Sequence, residues 1–235
     1  MNQPRRVFMS DDHHYKRNPF NTNQRLIFSS PYLGLPIQVA QGPSVEEYLD
    51  KLLRTIITAS LATPRVFAVR IDLRYSRRAD LPADATANAV IERFIASLRY
   101  RLNSNYACVK VRDGKANKHH LRYVWAREVG QESGRPHYHV LLLLNGDAYR
   151  SVGDYTNPDA DCLYNRIRGA WASAIGVDYH NASGLVSLPP GRSSWMLHQS
   201  DDQALEDVFY AASYLCKAAT KEFGSRAHGF NASRL

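Results

Sequence analysis

Val140-Leu141-Leu142-Leu143-Leu144 is the stretch that most narrows what this chain can fold into. A strand alternates its side chains between two faces, and here both faces are apolar. Such a strand belongs in the middle of a sheet, with cover on each side. The chain enters it through Arg135-Pro136-His137-Tyr138-His139. A spacing of two puts His137 and His139 on one face, roughly 7 Å apart along the strand, and turns Tyr138 to the other. Two imidazoles so placed can chelate one metal ion. His-x-His pairs also occur as packing or surface residues, so the rest of the chain must decide.

The other elements can be placed around this strand. Pro43-Ser44-Val45-Glu46-Glu47 reads as a capping box, with Ser44 as N-cap and Glu47 three residues on. Val45, Tyr48, Leu49, Leu52, Leu53, Ile56 and Ile57 then recur at helical spacing until Thr63-Pro64. Val66 to Tyr75 predicts a strand. Phe67, Val69, Ile71, Leu73 and Tyr75 make its apolar face, and Ala68, Arg70, Asp72 and Arg74 the other. A charged row on a core-like strand looks onto either solvent or a site.

A second helix is expected over 85–102, a short strand over 106–111 and a basic loop over 112–120. Strands follow at 121–129 and 136–144, then a helix at 159–174 and short strands at 185–188 and 194–197. A last helix is expected over 202–223, capped by Ser200 or Asp201 and stopped by Gly224. The expected fold class is α+β. Its centre is a ferredoxin/RRM-like βαββαβ antiparallel sheet, with the crossover helices on one face and the final helix covering the other. Residues 1–42 read as a basic N-terminal arm, with five Lys or Arg against two Asp, that either packs on the domain or orders on DNA. The domain proper is 43–235.

Composition bounds the partners. A net charge of +8 and a pI near 9.5 favour a polyanion such as nucleic acid. Cys108, Cys162 and Cys216 are few, far apart and outside any C-x-x-C pair, which suggests a reducing cytosol. No apolar run approaches a membrane span, and the first residues lack the core of a signal peptide. The expectation is a cytoplasmic protein with no membrane partner; oligomeric state cannot be read.

The hairpin can be read for register. If Ser133-Gly134 is a two-residue turn, Glu132 pairs with Arg135 and Glu128 falls opposite His139. Glu128 then joins His137 and His139 as a third ligand. A one-residue slip would turn it away, leaving Asp72 or Glu132 to replace it. Two imidazoles and a carboxylate with open positions suit Mn²⁺, Mg²⁺, Fe²⁺ or Zn²⁺. On the last helix, at 100° per residue, Tyr210, Tyr214, Lys217 and Lys221 share an arc of roughly 60°. Leu205, Val208, Ala212, Leu215 and Ala219 make a separate apolar stripe. A metal can polarise a phosphate oxygen, a tyrosine oxygen can attack the phosphorus, and a lysine can stabilise phenolate or leaving oxygen. The product is a covalent phosphotyrosine that conserves the energy of the broken DNA bond. No G-x-x-x-x-G-K-[ST] occurs, in keeping with a reaction that hydrolyses no nucleotide.

His137-Tyr138-His139 resembles the His-hydrophobic-His motif of the HUH endonucleases, and Tyr214-Leu215-Cys216-Lys217 resembles their Tyr-x-x-K motif. Arg70-Ile-Asp-Leu-Arg74, the run from Pro136 to Asn145, the run from Ser213 to Lys221, and Ser233-Arg234 resemble the inovirus-type YagK/YfjJ C-terminal domain replication proteins of prophages. That likeness spans roughly residues 44–235. It implies a metal-dependent nickase that starts rolling-circle replication through a 5′-phosphotyrosine. His137, His139 and Glu128 would hold Mn²⁺ or Mg²⁺, Tyr214 would be the nucleophile and Lys217 its assistant. Tyr210 would be a second nucleophile or a base-stacking residue. Arg70, Arg74, Lys115, Lys118 and Lys221 would meet phosphates of single-stranded or origin DNA. The implied setting is the cytoplasm of a bacterial host, with a host helicase as partner. A non-catalytic DNA-binding module on the same fold is the alternative.

Overall fold

The computed structural model describes residues 17–85, 87–130, 133–218 and 228–234. In chain order the strands and helices are β1 (Arg17–Asn18), β2 (Asn21–Ile27), β3 (Ser44–Val45), α1 (Glu46–Ala62), β4 (Arg65–Arg74), α2 (Ala89–Asp113), β5 (Arg122–Val129), β6 (Pro136–Asn145), α3 (Leu163–Ile175), β7 (Val186–Ser187), β8 (Ser194–His198), α4 (Asp202–Ser213) and β9 (Phe230–Ala232). The architecture is mixed α+β with antiparallel sheets, as expected. No described helix is long and apolar enough to cross a membrane.

The main sheet runs β7-β4-β6-β5-β9, with β8 also on the outer edge of β4. β6 therefore lies between β4 and β5, the central place its apolar run demands. Val140 to Leu144 are each at most 1% exposed. Even and odd positions divide the core. Phe67, Val69, Ile71, Leu73, Val140, Leu142 and Leu144 pack with α2 and α3, around Phe94 and Trp171. Ala68, Val124, Ala126, Leu141 and Leu143 pack with α1 and α4, through Leu52, Ile56, Val208 and Phe209. β7 and β8 accompany β4 in two pieces, at Leu73↔Val186 and again from Val69↔Ser194. The excursion between them lies beside Arg70, whose N–H donates to Ser193 O at 2.8 Å.

Three sequence expectations are corrected. Residues 106–111 are not a strand but the end of the 25-residue α2, closed by Gly114 in the left-handed region at φ 73°. No strand lies beside them, so the β-branched Val109 and Val111 follow the helix, Val111 almost fully exposed. Ser44 is not an N-cap. It pairs as strand with Ile27, α1 starts after Val45, and the Ser44 hydroxyl is buried with no hydrogen-bond partner among the described residues. Glu47 instead accepts from the Arg25 N–H at 3.1 Å, and Glu46 pairs with the Arg25 guanidinium at 2.7 Å.

Third, the last helix ends at Ser213, ten residues before the expected Phe223. A 3-10 turn over Tyr214–Cys216 follows, and Lys217 is extended, bridging Ser44. The cause is the N-terminal segment. Gln38 Nε2 takes the helix-end carbonyls of Tyr210 and Ala211, and Gln38 N–H donates to Ser213 Oγ. These contacts satisfy the orphan groups that further helix would have used. The expected Gly224 stop and Ala219 lie outside the described residues.

Residues 17–42 pack on the domain, one of the two courses expected of the arm, with Tyr32 and Ile37 in the core beside α4. The first 16 residues of the expected arm lie outside the described residues. The expected Asp201 cap is present, accepting from Ala204 N–H at 2.9 Å. Asp201→Ala is expected to lower stability by about 1 kcal/mol in urea titration, whereas Ser44→Ala, which removes an unpaired buried hydroxyl, is neutral or stabilising. A loss of about 1 kcal/mol at Ser44 would restore the capping box.

Candidate active site

β6 projects His137 and His139 onto the face shared with α1 and α4. Each meets a carboxylate from a neighbouring strand: Glu128 of β5 pairs with His137, and Asp72 of β4 pairs with His139. The expected partner of Glu128 was His139. The hairpin closes instead on Gly130 and Arg135, with Gly130 N–H donating to Arg135 O at 3.0 Å and Gly134, at φ 61°, donating to Gly130 O. The register thus differs by two residues, which preserves the face. Glu132, the other candidate carboxylate in the turn, lies outside the described residues.

Glu128, His137 and His139 bring one ligand atom each within 4.8 Å of one another. Glu128 Oε2 stands 3.5 Å from His139 Nε2 and 3.9 Å from His137 Nε2. Asp72 serves differently from the replacement ligand expected of it. Its Oδ1 is 2.6 Å from His139 Nδ1, the ring nitrogen facing away from the cluster. That contact calls for the proton on Nδ1 and leaves the Nε2 lone pair toward Glu128 and His137. His139 Nε2 is buried and has no hydrogen-bond partner among the described residues. An orphaned acceptor held in this tautomer, beside a second imidazole and a carboxylate, fits a divalent metal ion.

The two imidazoles differ in their electrostatics. Burial and the neighbouring His139 hold His137 down at about 4, so its imidazole is neutral and able to ligate at pH 7. At His139 burial pulls the same way, but Asp72 and Glu128 outweigh it and raise the value. Burial also works against ionised Asp72, yet His139, Arg70 and Arg74 hold its pKa below the usual carboxylate value.

The turn after α4 delivers Tyr214 and Lys217. The Tyr214 ring meets His139 edge-on at 5.1 Å between centroids. Lys217 Nζ lies 3.6 Å from that ring's centroid and Arg70 Cζ 5.4 Å. Lys217 is 4% exposed, and its Nζ is 3.4 Å from Glu128 Oε2 and donates to Gln41 Oε1 at 3.1 Å. Burial, then Glu128 and Asp72, push the Tyr214 phenol up to about 12 against the pull of Arg70 and Arg74. With no cation added, Tyr214 is a neutral phenol with two cationic side chains at its ring.

The remaining candidates separate. Arg74 flanks the centre, its guanidinium 3.7 Å from Asp72. Tyr210, 47% exposed, stands on α4 beside a cleft it shares with Arg70, Arg192 and Trp195. Lys115 and Lys118 belong to the loop before β5, at the far end of the sheet, and are not brought to the centre. Lys221 lies outside the described residues. Sequence reasoning missed Gln41, which no motif marks, and the orienting role of Asp72, which only the charged row on β4 foreshadowed.

The family described as the YagK/YfjJ C-terminal domain matches residues 32–233. Two proteins of Escherichia coli (strain K12) are similar to this chain. The uncharacterized protein YagK is 31% identical over 205 residues, covering 84% of this chain and 97% of its own. The uncharacterized protein YfjJ is 32% identical over 203 residues, covering 82% and 96%. No solved structure matches.

Two outcomes are expected. Asp72→Asn should weaken Mn²⁺ binding by calorimetry about 10–100-fold and His139→Ala should abolish it; an unchanged affinity in Asp72→Asn would mean that His139 is not the ligand. Separately, the depressed folded pKa of His137 means the unfolded chain binds a proton that the folded chain does not between about 6.5 and about 4. His137 therefore contributes a loss of stability as pH falls through that window. Urea titrations of metal-free His137→Asn should show a shallower acid decline than the parent, and parallel curves would refute the assignment.

Proposed function

The chain belongs to the YagK/YfjJ C-terminal domain family, and on that premise we propose that it is a metal-dependent, tyrosine-directed nickase of single-stranded origin DNA in the HUH endonuclease superfamily. The observation that carries the reading is the Tyr214 ring set edge-on against His139, with Lys217 between that ring and Glu128. The order of β4, β5, β6 and β7 in the sheet, with α2 and α3 as crossovers, supports a ferredoxin-like core for it.

Glu128, His137 and His139 would hold Mn²⁺ or Mg²⁺, with Asp72 orienting His139. Such an ion supplies charge stabilisation to a phosphate oxygen. The chain's own groups do the rest. The Tyr214 oxygen attacks phosphorus, and the bond from phosphorus to the 3′-oxygen breaks. The phenol gives up one proton and the departing oxygen takes one up, leaving a 5′-phosphotyrosine and a free 3′-hydroxyl. Neither water nor a nucleotide is consumed, so the step can be reversed to rejoin the strand. Lys217 is placed to stabilise the phenolate, whose formation is otherwise opposed by burial and the two carboxylates. Arg70 and Arg74 lie where they can draw a phosphate toward the centre. Tyr210, exposed one helical turn before Tyr214, fits base stacking or a second transfer better than the first attack.

With an origin-containing single strand and Mn²⁺, the protein should form a covalent adduct on a denaturing gel. Tyr214→Phe should abolish it while strand binding stays within about twofold, because only the hydroxyl is removed. Tyr210→Phe should still form it. An adduct that persists in Tyr214→Phe would move the nucleophile elsewhere. No adduct from any origin-derived strand, with binding retained, would favour a DNA-binding module over an enzyme.

A further inference from the structure

A second cationic centre lies at the other end of the sheet. Arg99 of α2, Arg122 at the start of β5 and Arg234 after β9 converge on one concavity of about 570 Å³. Ala62 at the end of α1, His119 and His120 complete its rim, and no carboxylate of the described residues lines it. Arg122 Nη1 donates to Arg234 O at 2.9 Å, and Ser233 N–H donates to Tyr123 O, so the C-terminal segment is pinned in place. His119 is fixed by Asn103 and by the Leu121 N–H. Six other arginines, Arg25, Arg54, Arg65, Arg93, Arg112 and Arg192, each pair with a carboxylate. Arg99, Arg122 and Arg234 come from three distant parts of the sequence and have no ion-pair partner among the described residues.

Three guanidiniums with no ion-pair partner among the described residues, around a hollow that no described carboxylate lines, attract a polyanion, and a guanidinium fork matches phosphate oxygens. The hollow opens beside the loop that carries Lys115 and Lys118, two further cations without a place at the metal centre. Arg122 and Glu128 share strand β5 and the same face of it, six residues apart. At ~3.3 Å per residue that is about 20 Å, within the reach of one DNA molecule crossing the protein. We propose that the Arg99, Arg122 and Arg234 hollow is a second phosphate-binding site, which holds the DNA backbone away from the nick and contributes affinity without reading sequence. The proposal rests on the reading of this protein as one that acts on DNA, but not on its nicking chemistry.

The test is equilibrium binding, by fluorescence anisotropy across a salt series. The probe is a single strand of roughly 30 nucleotides, longer than the ~4–16 that one binding groove usually covers. Each phosphate contact contributes a slope of about 0.7 in log K against log salt for a single strand. The triple variant Arg99→Ala, Arg122→Ala, Arg234→Ala should therefore lose about 2 from that slope and weaken binding by a similar factor on unrelated sequences. The triple Arg→Lys variant should recover most of the slope, and circular dichroism checks that both fold. Tyr214→Phe should leave the slope unchanged. A folded Ala variant with the parent's slope would overturn the proposal, as would a parent protein whose binding to the strand shows no salt dependence. Inorganic phosphate provides the other arm. If it raises the melting temperature of the parent but not of the variant, and the DNA slope is unchanged, the hollow takes a free anion and the DNA assignment falls. Absence of a covalent adduct would sink the nickase reading alone, because the salt slope is measured without cleavage.

Discussion

The pairing of β6 with its two neighbours is the constraint from which the rest of the site follows. In that register Asp72 stands opposite His139 and Glu128 opposite His137. The register is not held by the polar groups. Odd positions of β4 and even positions of β6 are committed to the core with α2 and α3, and the alternate set to the core with α1 and α4. A slip of one residue in either pairing would invert an apolar face and is strongly disfavoured. The core therefore fixes the parity that puts two imidazoles and two carboxylates on one face. The candidate metal-ligand cluster needs no separate folding device.

The second half of the site depends on the N-terminal segment. Gln38 terminates α4, Ser44 pairs with Lys217, Pro43 O accepts from Ala218 N–H, and Gln41 accepts from the Lys217 ammonium. Together these turn the chain sharply after Ser213 and fold Tyr214 and Lys217 against β5 and β6. The buried ammonium then has Glu128, Gln41 and the Tyr214 ring within reach. A buried cation requires such partners, since desolvation would otherwise neutralise it.

The central strand, the ligand trio and the Tyr-x-x-K residues were legible in the sequence because each rests on a short-range period: two for β6, and a fixed spacing after an apolar helical stripe. Glu128 was assigned to the right face through the wrong partner. The turn that closes the hairpin is wider than two residues, and its extra pair of positions leaves parity intact. The capping box failed because Ser44 is recruited into a strand by β2, a contact 17 positions back in sequence at Ile27 that no local pattern carries. The early end of α4 failed for the same kind of reason, since Gln38 lies 175 residues from Ser213. The hollow at Arg99, Arg122 and Arg234 was invisible for its part, as its cations converge only in three dimensions.

Asp72 and Glu128 bring two carboxylates to one face, and Arg70, Arg74 and Lys217 bring cationic side chains, around a neutral His137. Among the described residues His139 Nε2 has no hydrogen-bond partner, and Glu128 Oε2 stands 3.5 Å from it. The central claim is that this atom, with His137 and Glu128, binds a divalent cation beside Tyr214. Anomalous scattering from crystals grown with Mn²⁺ tests it directly. The account predicts one peak at about 2.0–2.2 Å from His139 Nε2, His137 and a Glu128 oxygen. An empty trio with the protein otherwise folded as described, or a peak held elsewhere, would contradict it.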